Sequence, residues 1–179
     1  AESELRPLVA GAADDLLAAP SFGYLGRLLM RKGLPEGDDL IDRGLAVPGV
    51  SETLLRFGSV ATAAIERAWF AGDAATVERL RRQVVDLAAA SKAFDWVGTV
   101  TMYAARAGLD VTAPEPCPPA FLYVIEGDSV RAAAAWAKVG DPYERAIELV
   151  RSGAVDEGVA VFERLGATRA IQWARDLNL

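Results

Sequence analysis

Apolar residues recur at three- and four-residue steps along most of the chain, interrupted by glycine, proline and aspartate. Leu5, Leu8, Val9, Ala12 and Leu16 predict a helix over 3–19, stopped by Pro20. Phe22, Leu25, Leu28 and Leu29 predict a shorter one, closed by Lys32 and Gly33 and weakened by Gly23 and Gly26. Pro35, Gly37, Gly44, Pro48 and Gly49 break up an acidic helix around 38–45. The clearest helix runs from an N-cap at Ser51 to Ala71, with Leu54, Leu55, Gly58, Ala61, Ile65, Ala68 and Trp69 as its stripe. Its small residues Gly58 and Ala61 predict a second helix packed closely over that face. Asp73 caps the next helix, which turns Val77, Leu80, Val84, Leu87 and Ala88 inward and pairs Glu78 with Arg82. These two helices form an antiparallel hairpin. A helix over 92–107 carries Ala93, Val97, Val100 and Ala104 on one side and Trp96 with Tyr103 on another.

Four prolines in the six residues from Pro114 make 111–119 a stiff, extended connector. A short apolar helix over 120–126 follows. Gly127, Gly140, Gly153 and Gly166 then stand thirteen residues apart, which is the length of a helix and a turn. Asp128 caps a helix containing Val130, Ala133, Ala134 and Ala137, and Asp141 with Pro142 caps one containing Tyr143, Ala146, Ile147 and Val150. Val155, Val159 and Phe162 mark the third, and Ala167, Ala170, Ile171 and Ala174 the fourth. Helices of about three turns do not persist alone, so each must bury its stripe against neighbours. The expected fold is all-α, about ten helices in stacked antiparallel hairpins.

Composition agrees with this. Apolar residues make up 52% of the 179, and alanine and leucine dominate over β-branched and aromatic residues. The length suits one domain. No stretch reaches the roughly 20 apolar residues of a membrane span, and Ala1-Glu2-Ser3-Glu4 resembles no signal peptide, so a cytoplasmic protein without a membrane partner is expected. A chain opening on Ala1 and ending at Leu179 reads as a piece of something longer. The net charge of −6 argues against direct nucleic-acid contact by this segment. One cysteine, Cys117, precludes an internal disulfide, and the lack of histidine removes the usual base of serine and cysteine nucleophiles and the usual ligand of catalytic zinc.

Two stretches carry a resemblance. Glu66-Arg-Ala-Trp-Phe-Ala-Gly-Asp73 resembles the helix-end signature of tetratricopeptide-like hairpins. The run from Gly127 through Trp136, Val139-Gly-Asp-Pro-Tyr-Glu-Arg-Ala146, Phe162-Glu-Arg-Leu-Gly-Ala167 and Ala174-Arg175 is similar to the last helical repeats of large bacterial signal-transduction ATPases, transcriptional regulators of the LuxR type. The resemblance covers about the last two thirds of the chain. Asp141 stands where that family commonly has cysteine, and it should cap equally well. The resemblance implies a tetratricopeptide-like right-handed solenoid over 1–179, with sub-blocks 1–110 and 118–179. It also implies an ATPase and a helix-turn-helix elsewhere in a parent chain. No Gly-x-x-x-x-Gly-Lys-Ser/Thr occurs here, so ATP and DNA would be met only through those other domains.

Side chains that could carry chemistry have ordinary alternatives. Asp38, Asp39, Asp42 and Glu36 read as a solvated acidic helix start, without the alternate-residue ligands of a calcium loop. Trp96 and Tyr103 would suit a peptide groove or packing between hairpins; Trp136 and Trp173 suit repeat packing, each buried indole N–H needing a partner. Cys117 has no adjacent cation to lower its pKa, and Arg79, Arg81 and Arg82 read as a salt-laced face with Glu78 and Asp86. The expectation is a non-enzymatic scaffold or sensor without a cofactor, binding a protein, peptide or small inducer. A carboxylate-based enzyme using Glu66, Asp95 or Glu126 is the rival, to be recognised by buried, convergent carboxyls with raised pKa values. A homo-oligomerising all-α domain is a third reading.

Overall fold

The computed structural model describes residues 2–12, 15–92 and 96–177, and all regular structure among them is helical. Eleven α-helices follow in order: α1 (Glu2–Val9), α2 (Ala19–Arg31), α3 (Pro35–Ala46), α4 (Leu54–Phe70), α5 (Ala74–Ser91), α6 (Val97–Arg106), α7 (Pro119–Ile125), α8 (Ser129–Val139), α9 (Pro142–Arg151), α10 (Val155–Leu165) and α11 (Thr168–Asp176). A 3-10 turn, Val50–Glu52, precedes α4.

The first boundaries differ from expectation. α1 ends at Val9, and Gly11 takes a left-handed φ of +78°. Pro20 opens α2 instead of stopping α1, because a first-turn proline lacks only an N–H that would have no helical partner. The Asp15 carboxylate accepts from the Leu17 and Ala18 amides just upstream. Ser51 lies in the 3-10 turn, and Thr53, extended at φ −137°, stands at the N-cap of α4. Lys92, at φ +55°, closes α5, so α6 starts at Val97 and not at Lys92. Ala93 lies outside the described residues.

The aspartate caps form as the spacing predicts. Asp73 accepts from the Thr76 amide, Asp128 from Arg131 and Asp141 from both Tyr143 and Glu144. Gly127, Gly140, Gly153 and Gly166 all have positive φ, between 65° and 93°, at the ends of α7 to α10. The turns leave two or three residues between neighbouring helices, which therefore fold back beside one another.

α4 is the centre of the core. Phe57, Val60, Ala61, Ala63, Ala64 and Ile65 are buried around its circumference. Leu55, assigned to its buried stripe, is instead 80% exposed: in this first turn it is Leu54, 6% exposed, that faces the core. The expected close approach over Gly58 is made by the Trp96 indole and not by a helix: a Cβ at Gly58 would come within 2.6 Å of that ring. The close helix contacts lie elsewhere. A Cβ at Gly23 would meet the Ser59 backbone at 2.7 Å, and one at Gly37 would meet the Met30 amide nitrogen at 2.2 Å. Thus the glycines that weaken α2 and α3 as isolated helices let them pack against α4 and each other. On α8, Val130, Ala134 and Ala137 are exposed, whereas Ala133 is buried together with Ala132 and Trp136.

Successive helices pack on one another from α1 to α11, and α11 also returns to α2. Arg169 reaches back to the Asp38 carboxylate at 3.0 Å, and the Trp173 ring packs at a tilt against Trp69 with centroids 4.9 Å apart. No helix among the described residues is long and apolar enough to cross a membrane.

Candidate functional site

Charge is buried where four helices meet. α2 supplies Arg27 and Arg31, α4 Glu66, α6 Tyr103 and Arg106, and α9 Tyr143, Glu144 and Glu148. Each pair on α2 and α9 is spaced i, i+4, which puts two like charges on one helix face and would be unfavourable without opposite charges from elsewhere. The fold brings the two faces together.

Glu66 is fully buried and accepts from Arg27, from Arg31 Nε at 2.8 Å and Nη2 at 2.9 Å, and from the Tyr143 hydroxyl at 2.9 Å. Glu144 accepts from Arg106 Nη1 at 2.6 Å, Tyr103 Oη at 3.1 Å and Arg31 Nη2 at 3.2 Å. Glu148 Oε1 accepts from Arg106 Nη2 at 2.7 Å and Nε at 2.9 Å. Among the described residues its Oε2 meets only the Arg151 guanidinium, at 3.5 Å. The Arg31 guanidinium also lies 3.6 Å from the centre of the Tyr143 ring, close enough for a cation–π contact. Three carboxylates thus balance Arg27, Arg31 and Arg106.

Burial opposes the charge on Glu66, but Arg27 and Arg31 outweigh it and hold the carboxyl well below the usual carboxylate range. Glu144 is likewise lowered, burial being overcome by Arg106, Arg31 and Arg27. Burial and the neighbouring carboxylates push the Tyr103 and Tyr143 phenols well above their ordinary value. Near neutral pH both carboxyls are therefore ionised and both phenols protonated. None of these four groups is poised to exchange a proton there.

Of the three carboxylates considered for a reaction, Glu66 lies inside this cluster with its pKa lowered, opposite to the direction a general acid needs. Glu126 is exposed and lies 3.9 Å from Arg131. Asp95 lies outside the described residues. Tyr103 and Trp96 do not share a groove: Tyr103 is buried among the charges, whereas Trp96 lines a cleft of about 400 Å³ with Leu55 and Leu87. The acidic residues of α3 diverge, Asp38 to Arg169, Asp42 to Arg67 at 2.7 Å and Glu36 to Arg6 at 3.1 Å, so they tie helices together in addition to meeting solvent. Arg81 and Arg82 both reach Glu78, as the salt-laced face predicts. Burial and then Glu126 push the Cys117 thiol up.

No family model, curated protein or solved structure matches the chain. The site therefore rests on its own geometry. Sequence reasoning singled out Glu66 and Tyr103 but missed Arg27, Arg31, Arg106, Glu144 and Glu148. The readable signal was the pair of oppositely charged i, i+4 doublets on helices that otherwise look amphipathic.

Proposed function

We propose that the chain is a non-enzymatic, tetratricopeptide-like scaffold or sensor module of a bacterial transcriptional regulator. In this reading 1–179 forms one right-handed repeat array whose ATPase and helix-turn-helix lie elsewhere in the parent protein. The observation that carries it is the buried cluster: eight side chains from four helices are consumed in pairing with one another, which serves to fix how hairpins stack and leaves Glu66 and Glu144 unsuited to acid–base work. The thirteen-residue glycine spacing and the resemblance of Glu66–Asp73 and Gly127–Arg175 support the same reading. A protein, peptide or small inducer would act by binding one arrangement of the array more tightly than another.

The test is an immunoblot of the source cells with an antibody against this segment. A product several times larger than 19.0 kDa is expected. A product of that mass would overturn the regulator.

A further inference from the structure

The joint between 1–110 and 118–179 is built unlike the packing inside either part. On one side of α9, Ala146 and Val150 lie close against Gly158 of α10. Another side turns Tyr143, Glu144 and Glu148 away from the last hairpins, and all three are buried. Tyr143 donates to Glu66 of α4, Glu144 accepts from Arg31, Tyr103 and Arg106, and Glu148 accepts twice from Arg106. Long side chains span this joint, without the extended close approach that α9 makes to α8 and α10. Trp173 on Trp69, and α7 on α6, complete the contact.

The connector itself holds little. No residue from 107 to 119 is buried, and among the described residues none from 110 to 117 gives or receives a backbone–backbone hydrogen bond. Such a segment can change its backbone angles at small cost, as a hinge must. Swinging 118–179 away would have a definite electrostatic consequence. Within the cluster Glu66 alone would face Arg27, Arg31 and Arg106, so two guanidiniums would lack a carboxylate. Guanidiniums held in a fold without counter-charges are costly, and carboxylates from elsewhere relieve that cost. The Arg27 and Arg31 side chains, 24% and 19% exposed, give an incoming carboxylate a point of entry.

We infer that α9 is the built-in occupant of a receptor for an acidic helical segment. Once 118–179 swings about 110–117, Arg27, Arg31 and Arg106 bind a partner helix bearing Tyr-Glu-x-x-x-Glu, the pattern that α9 itself presents at Tyr143, Glu144 and Glu148. Partner and α9 compete for the same guanidiniums, so the latched arrangement excludes the partner and the open one binds it. This deepens the two-arrangement part of the proposed sensor and rests on it. A helix without the carboxylates would leave the arginines unpaired and be rejected.

A labelled peptide of residues 141–151, titrated into the whole chain and followed by fluorescence anisotropy, tests the competition. Affinity for a site that is mostly closed falls with the open fraction, so loosening the latch strengthens binding without adding a contact. Glu144→Gln with Glu148→Gln, and separately Trp173→Ala, should each bind the peptide at least about tenfold more tightly than the wild type. Trp173→Ala touches none of the three arginines and keeps the test open should the double variant fail to fold, which circular dichroism reports. Adding Arg106→Gln should remove the gain, and a peptide with both glutamates replaced by glutamine should not bind. No gain in any folded latch variant, or equal binding of the glutamine peptide, would overturn the receptor. A loosened chain that sediments at twice 19.0 kDa and excludes the peptide would overturn the foreign partner in favour of a second copy. Either failure removes the latch, whereas the mass of the cellular product separately decides the regulator reading.

Discussion

Removing the Glu66 carboxylate would leave Arg27 and Arg31 with Glu144 and phenol oxygens as their remaining partners in the cluster. Breaking a buried ion pair from one side costs about 3–5 kcal/mol, because a charge stays behind in the interior. Glu66→Gln is therefore expected to lower stability by about 3 kcal/mol in urea unfolding, while the exposed Glu126→Gln changes it by less than ~0.5 kcal/mol. Similar effects at both positions would show that the cluster does not hold the core. The same charges set a pH dependence. Folding lowers the pKa values of Glu66 and Glu144, so their contribution is fully present above the unfolded value near 4.5 and is lost as pH falls below it. The phenols of Tyr103 and Tyr143 are raised, so their contribution holds below the unfolded value of 10 and disappears above it. Urea midpoints should thus fall on both the acid side of pH 4.5 and the alkaline side of pH 10; a flat profile on either side would contradict the corresponding assignment. Single residues were only partly legible. Glu66 could be singled out, but its partners could not, because Arg31 and Glu144 lie 113 residues apart and nothing local couples them.

Helix existence was easier to read than helix environment, and the glycines show why. At Gly140 the backbone is left-handed with open space around the missing Cβ, so the cost of a side chain is conformational alone. Gly37 has an ordinary φ, but its Cβ would run into the backbone of α2. Gly140→Ala should cost about 1 kcal/mol and Gly37→Ala about 3 kcal/mol or more, as measured by thermal or urea unfolding. The reverse order would mean that the α2–α3 seam can open without loss. Spacing in the sequence locates the first kind of glycine, whereas the second is defined by a neighbour across the seam. Caps followed the same logic: the aspartates that bond within their own turn at Asp73, Asp128 and Asp141 were legible, but Ser51 and Pro20 depend on where the preceding segment ends. Leu55 and Val130 were misplaced because apolar spacing leaves open which side of a first turn faces the core: Leu54, and Ala132 with Ala133, take the buried positions there.

Across the whole molecule, α11 links the last hairpin to the first. Trp173 rests on Trp69 and Phe70, and Arg169 holds Asp38 from 131 residues away. Trp173→Ala should speed amide hydrogen exchange in α11 and in the last turn of α4, which it covers, while leaving α8 unchanged. Uniform acceleration along the chain would mean that no separable closing contact exists. The glycine spacing reaches further still. Each thirteen-residue period holds one helix and one turn, so adding or deleting a single period reverses the running direction of every helix that follows. Glu144 and Glu148 would then present themselves to Arg31 and Arg106 in inverted order, and the charge balance would be lost. Two periods restore the direction. Length can therefore change only by even numbers of helices, a parity rule that governs which duplications or deletions in this array still fold.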